Sequence, residues 1–122
     1  MTFSLPIPPS INQTYGVSKA GLHGLYKKEA VKTWERSAGW TVKRQLMKLG
    51  TRKKYLPYLG NVRVEINWFF LKNRDIDSGI KILLDLFEDM GIYKNDMQIT
   101  ELNMKKEFDS KEPRVEVLIE LC

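Results

Sequence analysis

The chain has very few of the residues from which many catalytic and metal sites are built. It contains one cysteine, Cys122, and one histidine, His23, among 122 residues. A single cysteine excludes an intrachain disulfide framework and a cysteine-based zinc site. His23 lies between glycines in the segment GLHG, which is typical of a loop. A histidine-rich metal site and a Ser-His-Asp triad are therefore both disfavoured.

Long apolar runs are absent as well. No stretch of the sequence approaches the roughly 18 consecutive apolar residues of a membrane span, so we expect no membrane partner. The N-terminus, MTFSLPIPPS, has neither a basic region nor a long apolar segment. It does not fit a secretory signal peptide, and we expect a cytoplasmic protein.

The composition is that of a globular protein with an excess of positive charge. Hydrophobic residues make up 43%, charged residues 29%, and the formal net charge is +5. The length fits one domain over residues 1–122, and such a domain can bury a core without disulfide or metal staples. The positive balance favours an anionic partner such as nucleic acid, although a soluble protein with a modest excess has the same balance.

Hydrophobic periodicity predicts the order strand, helix, strand, helix, strand, strand. The predicted strands cover residues 2–7, 61–71, 98–108 and 115–121, the helices cover 29–49 and about 77–90, and residues 10–24 are predicted as a loop. This order is typical of a compact α+β domain. We predict a mixed sheet of about four strands packed with two main helices.

The most informative segment is RDIDSGIKILLDLFEDMGIYKND, residues 74–96. Asp75 and Asp77 begin a helical pattern, Lys81 follows one turn later, and Asp96 comes just after a glycine-bearing turn. Mg²⁺ prefers oxygen ligands, and a nearby lysine can neutralise charge that develops on a phosphate. The segment suggests metal-assisted chemistry on a phosphodiester. A strand that returned beside the 61–71 strand would bring Asp96 close to the other two carboxylates.

The same residues also allow a purely structural interpretation. Asp75 or Asp77 could cap the helix, since acidic residues suit its first turn. Asp77 and Lys81 have the spacing of a helical ion pair, and Asp96 could be an ordinary turn residue. Because a D-x-D pair is a short motif with many chance matches, the pattern alone leaves both interpretations open.

Cations beside the acidic segment help to decide between a site that acts on DNA and a purely structural role. A carboxylate cluster alone repels DNA, so a nuclease needs positive charge nearby. Lys72 and Arg74 flank the segment directly, and Lys106 lies on the next predicted strand. We predict that these three residues contact DNA. Most other lysines and arginines are spread along the chain, as is typical of a solvated surface.

The spacing of the acidic segment resembles that of the RusA family of Holliday-junction resolvases. The matching positions are Asp75, Asp77, Lys81, Asp85, Gly91 and Asp96. The segment PPSINQTY is similar to the family's proline-rich opening, at positions Pro8, Pro9, Ser10, Asn12 and Tyr15. The resemblance covers nearly the whole chain, and the spaced pattern is far more specific than D-x-D alone.

The resemblance implies a Mg²⁺-dependent endodeoxyribonuclease, with Mn²⁺ as a substitute, of the kind often encoded by phages. Such an enzyme acts as a homodimer on four-way DNA junctions, which it resolves by paired nicks in recombination and repair. By the match, Asp75, Asp77 and Asp96 bind the metal, Lys81 is the catalytic lysine, and all four belong to the catalytic set.

The sequence departs from the family pattern at two positions, and three other functions stay open. The family commonly has Asn where this chain has Ser78, and often an acidic residue where it has Asn95. The alternatives are a non-catalytic branched-DNA-binding protein with the same fold, a nuclease that prefers another substrate, and a small interaction protein whose acidic helix face is merely solvated.

Overall fold

The computed structural model describes residues 1–9, 15–17, 25–27 and 29–122. These residues form ten secondary-structure elements. At 15–17, 25–27 and 51–53 only the backbone is described. The strands are β1 Thr2–Leu5, β2 Tyr15–Val17, β3 Leu25–Lys27, β4 Val62–Phe70, β5 Ile99–Phe108 and β6 Arg114–Leu121. The helices are α1 Glu29–Met47 and α2 Ile80–Asp89, with 3₁₀ turns at Gly50–Tyr55 and Asp96–Gln98. Ser10, Asn12 and His23 lie outside the described residues.

Strand β4 lies inside a four-stranded sheet whose order is β1-β6-β4-β5. It is antiparallel to β6 and parallel to β5, while β1 is antiparallel to β6. The predicted α+β fold, a mixed sheet of four strands with two main helices, is confirmed. β2 and β3 form a separate antiparallel pair, so the loop predicted over 10–24 was wrong at β2, whose three residues are too few for a recognisable period.

The core forms where the helices cover one face of the sheet. Every second residue of β4, from Val62 to Phe70, is buried on that face. The helices contribute buried residues at the expected spacing of three and four: Val31, Trp34, Ala38 and Val42 from α1, and Ile82, Leu83, Leu86 and Phe87 from α2. None of the helices in the described ranges is long and apolar enough to cross a membrane.

The opposite face of the sheet is polar and carries ion pairs. Two arginines pair with acidic side chains on this face or at its edge: Arg63 with Glu65 and Glu120, and Arg114 with Asp109 and Glu116. Phe69 is half-buried here, because the Arg114 guanidinium lies 4.0 Å from the centre of its ring. Both arginines therefore already have acidic partners within the chain.

Helix α2 begins three residues later than predicted. Its N-cap is Gly79, with a φ of 87° in the left-handed region, which glycine adopts far more readily than other residues. A turn precedes it, in which the amide of Ser78 donates to the carbonyl of Asp75 (3.0 Å) and the amide of Ile80 to that of Asp77 (3.2 Å). The two aspartates thus lie in this turn and do not cap α2.

We expect Gly79→Ala to lower the free energy of unfolding by roughly 1–3 kcal/mol, because the left-handed backbone is strained for alanine and its Cβ would lie 2.8 Å from Cγ of Pro8. Urea denaturation followed by circular dichroism measures the change. Gly50→Ala is the control, since Gly50 also has positive φ but no atom lies within 4 Å of its Cβ position. Equal losses in both variants would show that contact with Pro8 contributes nothing.

Candidate active site

Arg74 connects the turn that holds the two aspartates to the ends of two strands. Its guanidinium donates to the carbonyl of Pro8, just after β1 (2.9 Å), and to Oγ of Ser78 (2.9 Å). It also lies over the ring of Phe70, the last residue of β4, at 5.0 Å. Burial lowers the pKa of Arg74 below its ordinary value. Because the buried hydroxyl of Ser78 has a charged partner, the turn is firmly anchored.

The three cations predicted to contact DNA differ in their surroundings. The donors of Arg74 are engaged within the chain, as described above. Lys106, on β5, donates from Nζ to the carbonyl of Arg74 (2.9 Å) and to Oδ1 of Asn73 (3.2 Å). Lys72 is exposed just beyond β4. Two of the three cations therefore hold the segment that leads into the acidic turn.

Asp75 and Asp77 lie at the end of the sheet where β4 finishes, and both are exposed. Lys81 follows on the first turn of α2. Its Nζ lies 3.5 Å from Oδ1 of Asp85, and its side chain is 73% exposed. An ammonium group at this place on α2 is accessible to an anionic ligand that approaches the two aspartates.

Asp96 lies at the opposite end of the sheet. Because β4 and β5 are parallel, α2 carries the chain back to the start of β4 before β5 begins, with Val62 beside Ile99. Strand β4 advances about 3.3 Å per residue, roughly 26 Å from Val62 to Phe70. The expectation that the next strand would bring Asp96 close to Asp75 is therefore not met within a single chain.

Asp96 instead belongs to an acidic group around the buried Tyr93. The hydroxyl of Tyr93 donates to the carbonyl of Leu84 (2.7 Å). Burial raises the pKa of Tyr93, and the nearby carboxylates of Asp96, Glu88 and Asp85 raise it further. The carboxylate of Glu88 accepts a hydrogen bond from the amide of Asp96 (3.0 Å). Sequence reasoning missed Tyr93, although the spacing of Asp85 and Glu88 placed both on one helix face.

Asn95, one of the departures from the family pattern, positions the turn that carries Asp96. Its Oδ1 accepts from the amide of Met97 (2.8 Å), and its own amide donates to Oε1 of Gln98 (3.0 Å). The Asn95 side chain also accepts from the amide of Gln98, and this bond together with that from the Asn95 amide to Gln98 forms a capping box. Nε2 of Gln98 in turn donates to the carbonyl of Tyr58 (2.7 Å), which lies just before β4.

The donors of the acidic turn suit Mg²⁺ in their chemistry. Carboxylate oxygens are the ligands that Mg²⁺ prefers, and it usually takes one or two of them together with water and substrate phosphate. Asp75 and Asp77 supply two exposed carboxylates in one turn. In the part of the chain that the structure describes, no three histidine, cysteine, aspartate or glutamate residues lie close enough together to hold a metal ion. The pair fits Mg²⁺, but Asp96 of the same chain does not complete it.

We expect Ser78→Ala to cost about 1–3 kcal/mol of stability, because it removes the hydroxyl that accepts from two donors of the half-buried Arg74. Thermal unfolding measures the loss. Ser4→Ala is the control, since Ser4 is exposed on β1 and its replacement is expected to change stability by less than about 0.5 kcal/mol. Equal stability of the two variants would contradict the anchoring role of Ser78.

Comparison with known protein families identifies the same family that the spacing from Asp75 to Asp96 suggests. The family model described as endodeoxyribonuclease RusA matches residues 6–120. No curated protein matches the chain closely enough to count as a relative. The match includes both aspartates of the turn, Lys81 and Asp96, and it spans nearly the whole chain. The chain therefore belongs to the RusA family of endodeoxyribonucleases.

Proposed function

We propose that this protein is a divalent-metal-dependent endonuclease that resolves four-way DNA junctions by paired nicks during recombination and repair. Membership of the RusA family implies Holliday-junction resolvase activity. The observation that carries the proposal is the pair of exposed carboxylates, Asp75 and Asp77, on a turn that Arg74 and Lys106 anchor from within. Mg²⁺ is the proposed ion, with Mn²⁺ as a substitute.

Each residue of the site has a proposed role. Asp75 and Asp77 would hold the metal, and Asp96, which does not reach them within one chain, would join the set from the other subunit of the expected homodimer. When bound, the ion would polarise the scissile phosphate and lower the pKa of the attacking water. Lys81 neutralises negative charge on the phosphate, and Asp85, 3.5 Å away, orients its ammonium group.

Contacts to the DNA backbone come from cations near the acidic turn. Lys72 is exposed beside it, and we propose that it contacts a phosphate directly. Arg74 and Lys106 act by holding the turn, since their donors are already bonded to the protein. A two-fold dimer would present two such sites to a two-fold junction, which accounts for paired nicks.

Asp75→Asn and Asp77→Asn each test the proposal. We expect either variant to nick a labelled four-way junction in Mg²⁺ at least about a hundredfold more slowly, with unchanged circular dichroism and junction binding, because both side chains are exposed. Asp89→Asn is the matched control: Asp89 is an exposed aspartate at the end of α2, and its variant is expected to cleave as the wild type does.

Wild-type protein, a matched linear duplex and metal-free buffer complete this experiment. Full cleavage by both turn variants would overturn the role of the carboxylates. Junction binding by the wild type without nicking, in Mg²⁺ and in Mn²⁺, would favour the non-catalytic branched-DNA-binding protein. Faster cleavage of flaps or forks than of four-way junctions would favour the nuclease with another substrate.

Lys72→Ala tests the phosphate contact separately. We expect it to weaken binding to every junction sequence by a similar factor, and to reduce the slope of log affinity against log salt by about 0.9. Lys48→Ala, which removes an exposed lysine after α1, controls for the loss of one charge. An equal change of slope in both variants would mean that Lys72 contributes only to the net charge.

A further inference from the structure

Trp40 projects from α1 into solvent. It is 62% exposed, whereas Trp34 of the same helix and Trp68 of β4 are buried. With 3.6 residues per turn, its position on the helix is almost opposite the residues that α1 buries, namely Val31, Trp34, Ala38 and Val42. Exposed tryptophan rings are enriched where proteins bind partners, because they combine a large apolar area with a polarised ring face.

Cationic side chains surround this ring. Arg36 and Arg44 lie one turn before and one turn after Trp40, and both are exposed. Nζ of Lys43 lies 5.4 Å from the centre of the ring. Arg36 lies 3.5 Å from Glu29, but both side chains are exposed, and such a pair contributes little stability. We call Arg36, Trp40, Lys43 and Arg44 the α1 stripe.

The sequence that contains the α1 stripe carries charge of one sign. From Arg36 to Lys54 the chain has seven lysines and arginines and no aspartate or glutamate. This run alone holds more positive charge than the net +5 of the whole chain. Such a concentration of positive charge is complementary to a polyanion.

The exposed ring decides which polyanion fits the stripe best. Bases in a duplex pair and stack on one another, so a side chain reaches their faces only where the DNA is unpaired. Aromatic rings set among cations are the combination with which proteins bind single strands, because every base has a face that can stack. An acidic peptide would satisfy the cations, but its carboxylates give the ring no stacking partner. DNA is the expected polymer, since the chain belongs to a family of endodeoxyribonucleases.

The α1 stripe is separate from the acidic turn. The first half of α1 approaches that turn, where Trp34 and Ser37 line a groove together with Arg74. Trp40 lies about 9 Å further along the helix axis than Trp34, and it faces away from the core. The stripe therefore shares no residue with the turn and offers DNA a second contact.

We propose that the α1 stripe binds single-stranded DNA, with a base stacked on Trp40 and the neighbouring phosphates neutralised by Arg36, Lys43 and Arg44. The proposal rests on the exposure of Trp40 and on the charge around it, and it goes beyond the proposed nuclease function. A branched substrate that carries a single-stranded segment would be held at this stripe as well as at the acidic turn.

Binding of a short labelled oligothymidylate tests the stacking. Fluorescence anisotropy in metal-free buffer measures the affinity without cleavage. We expect Trp40→Ala to weaken binding at least about fivefold, because the stacking of one base is lost. Trp40→Phe keeps an aromatic ring and should lose about twofold or less. Leu59→Ala is the control, since Leu59 is 75% exposed outside α1, and it should bind as the wild type does.

The charge of the stripe has a separate readout. Arg44→Gln should reduce the slope of log affinity against log salt by about 0.7, the value for one phosphate of a single strand. Lys111→Gln, at an exposed lysine beyond β5, should leave the slope unchanged. In the wild type, bound oligothymidylate should shield Trp40 from quenching by acrylamide, because the other two tryptophans are buried.

Four results would overturn the proposal. The wild type could fail to bind oligothymidylate, or Trp40→Ala could bind it equally well. An equal loss of affinity for a duplex of the same length would mean that the stripe contacts duplex phosphates without stacking. Displacement of oligothymidylate by polyglutamate at equal charge would mean that it binds acidic protein segments.

The outcome does not depend on nicking. A wild type that binds oligothymidylate through Trp40 but cuts no junction would overturn the nuclease function and support the single-strand site. A wild type that nicks junctions but has no affinity for oligothymidylate would do the reverse.

Discussion

The parallel pairing of β4 with β5 determines where each acidic side chain of the site lies. Parallel strands cannot be joined by a tight turn and need a crossover, which in this chain is α2. The crossover leaves the turn of Asp75 and Asp77 at one end of the sheet and delivers Asp96 to the other. Carboxylates that share one short segment of sequence are thereby held at opposite ends of the sheet.

Hydrogen bonds from two cationic side chains stabilise the acidic turn. A half-buried guanidinium is costly unless it is hydrogen-bonded, and Arg74 meets that condition through Pro8 and Ser78. Lys106 adds a bond from β5 to the carbonyl of Arg74. Both cations therefore hydrogen-bond to backbone carbonyls around the turn, and the two aspartates remain exposed on it.

The two departures from the family pattern both have hydrogen-bonding roles in this chain. Ser78 fits a buried position beneath Arg74, where its hydroxyl accepts a charged hydrogen bond. Asn95 caps the turn before β5 and so orients the backbone of Asp96. Ser78 acts through the contact of its buried side chain with Arg74, and Asn95 acts through exposed hydrogen bonds within its own turn. Each of the two residues thus helps to position an aspartate of the site, since each stabilises the turn that carries it.

The sequence by itself determined the main helices, the long strands and the residues of the acidic segment, because apolar side chains recur at periods of 3.6 and 2 and because the spacing from Asp75 to Asp96 is specific. It did not determine the start of α2, which the positive φ of Gly79 delays. The direction of β5 relative to β4, the anchoring role of Arg74 and the acidic group around Tyr93 were decided only by the tertiary structure. Each depends on contacts between residues distant along the chain, and local periodicity carries no information about such contacts.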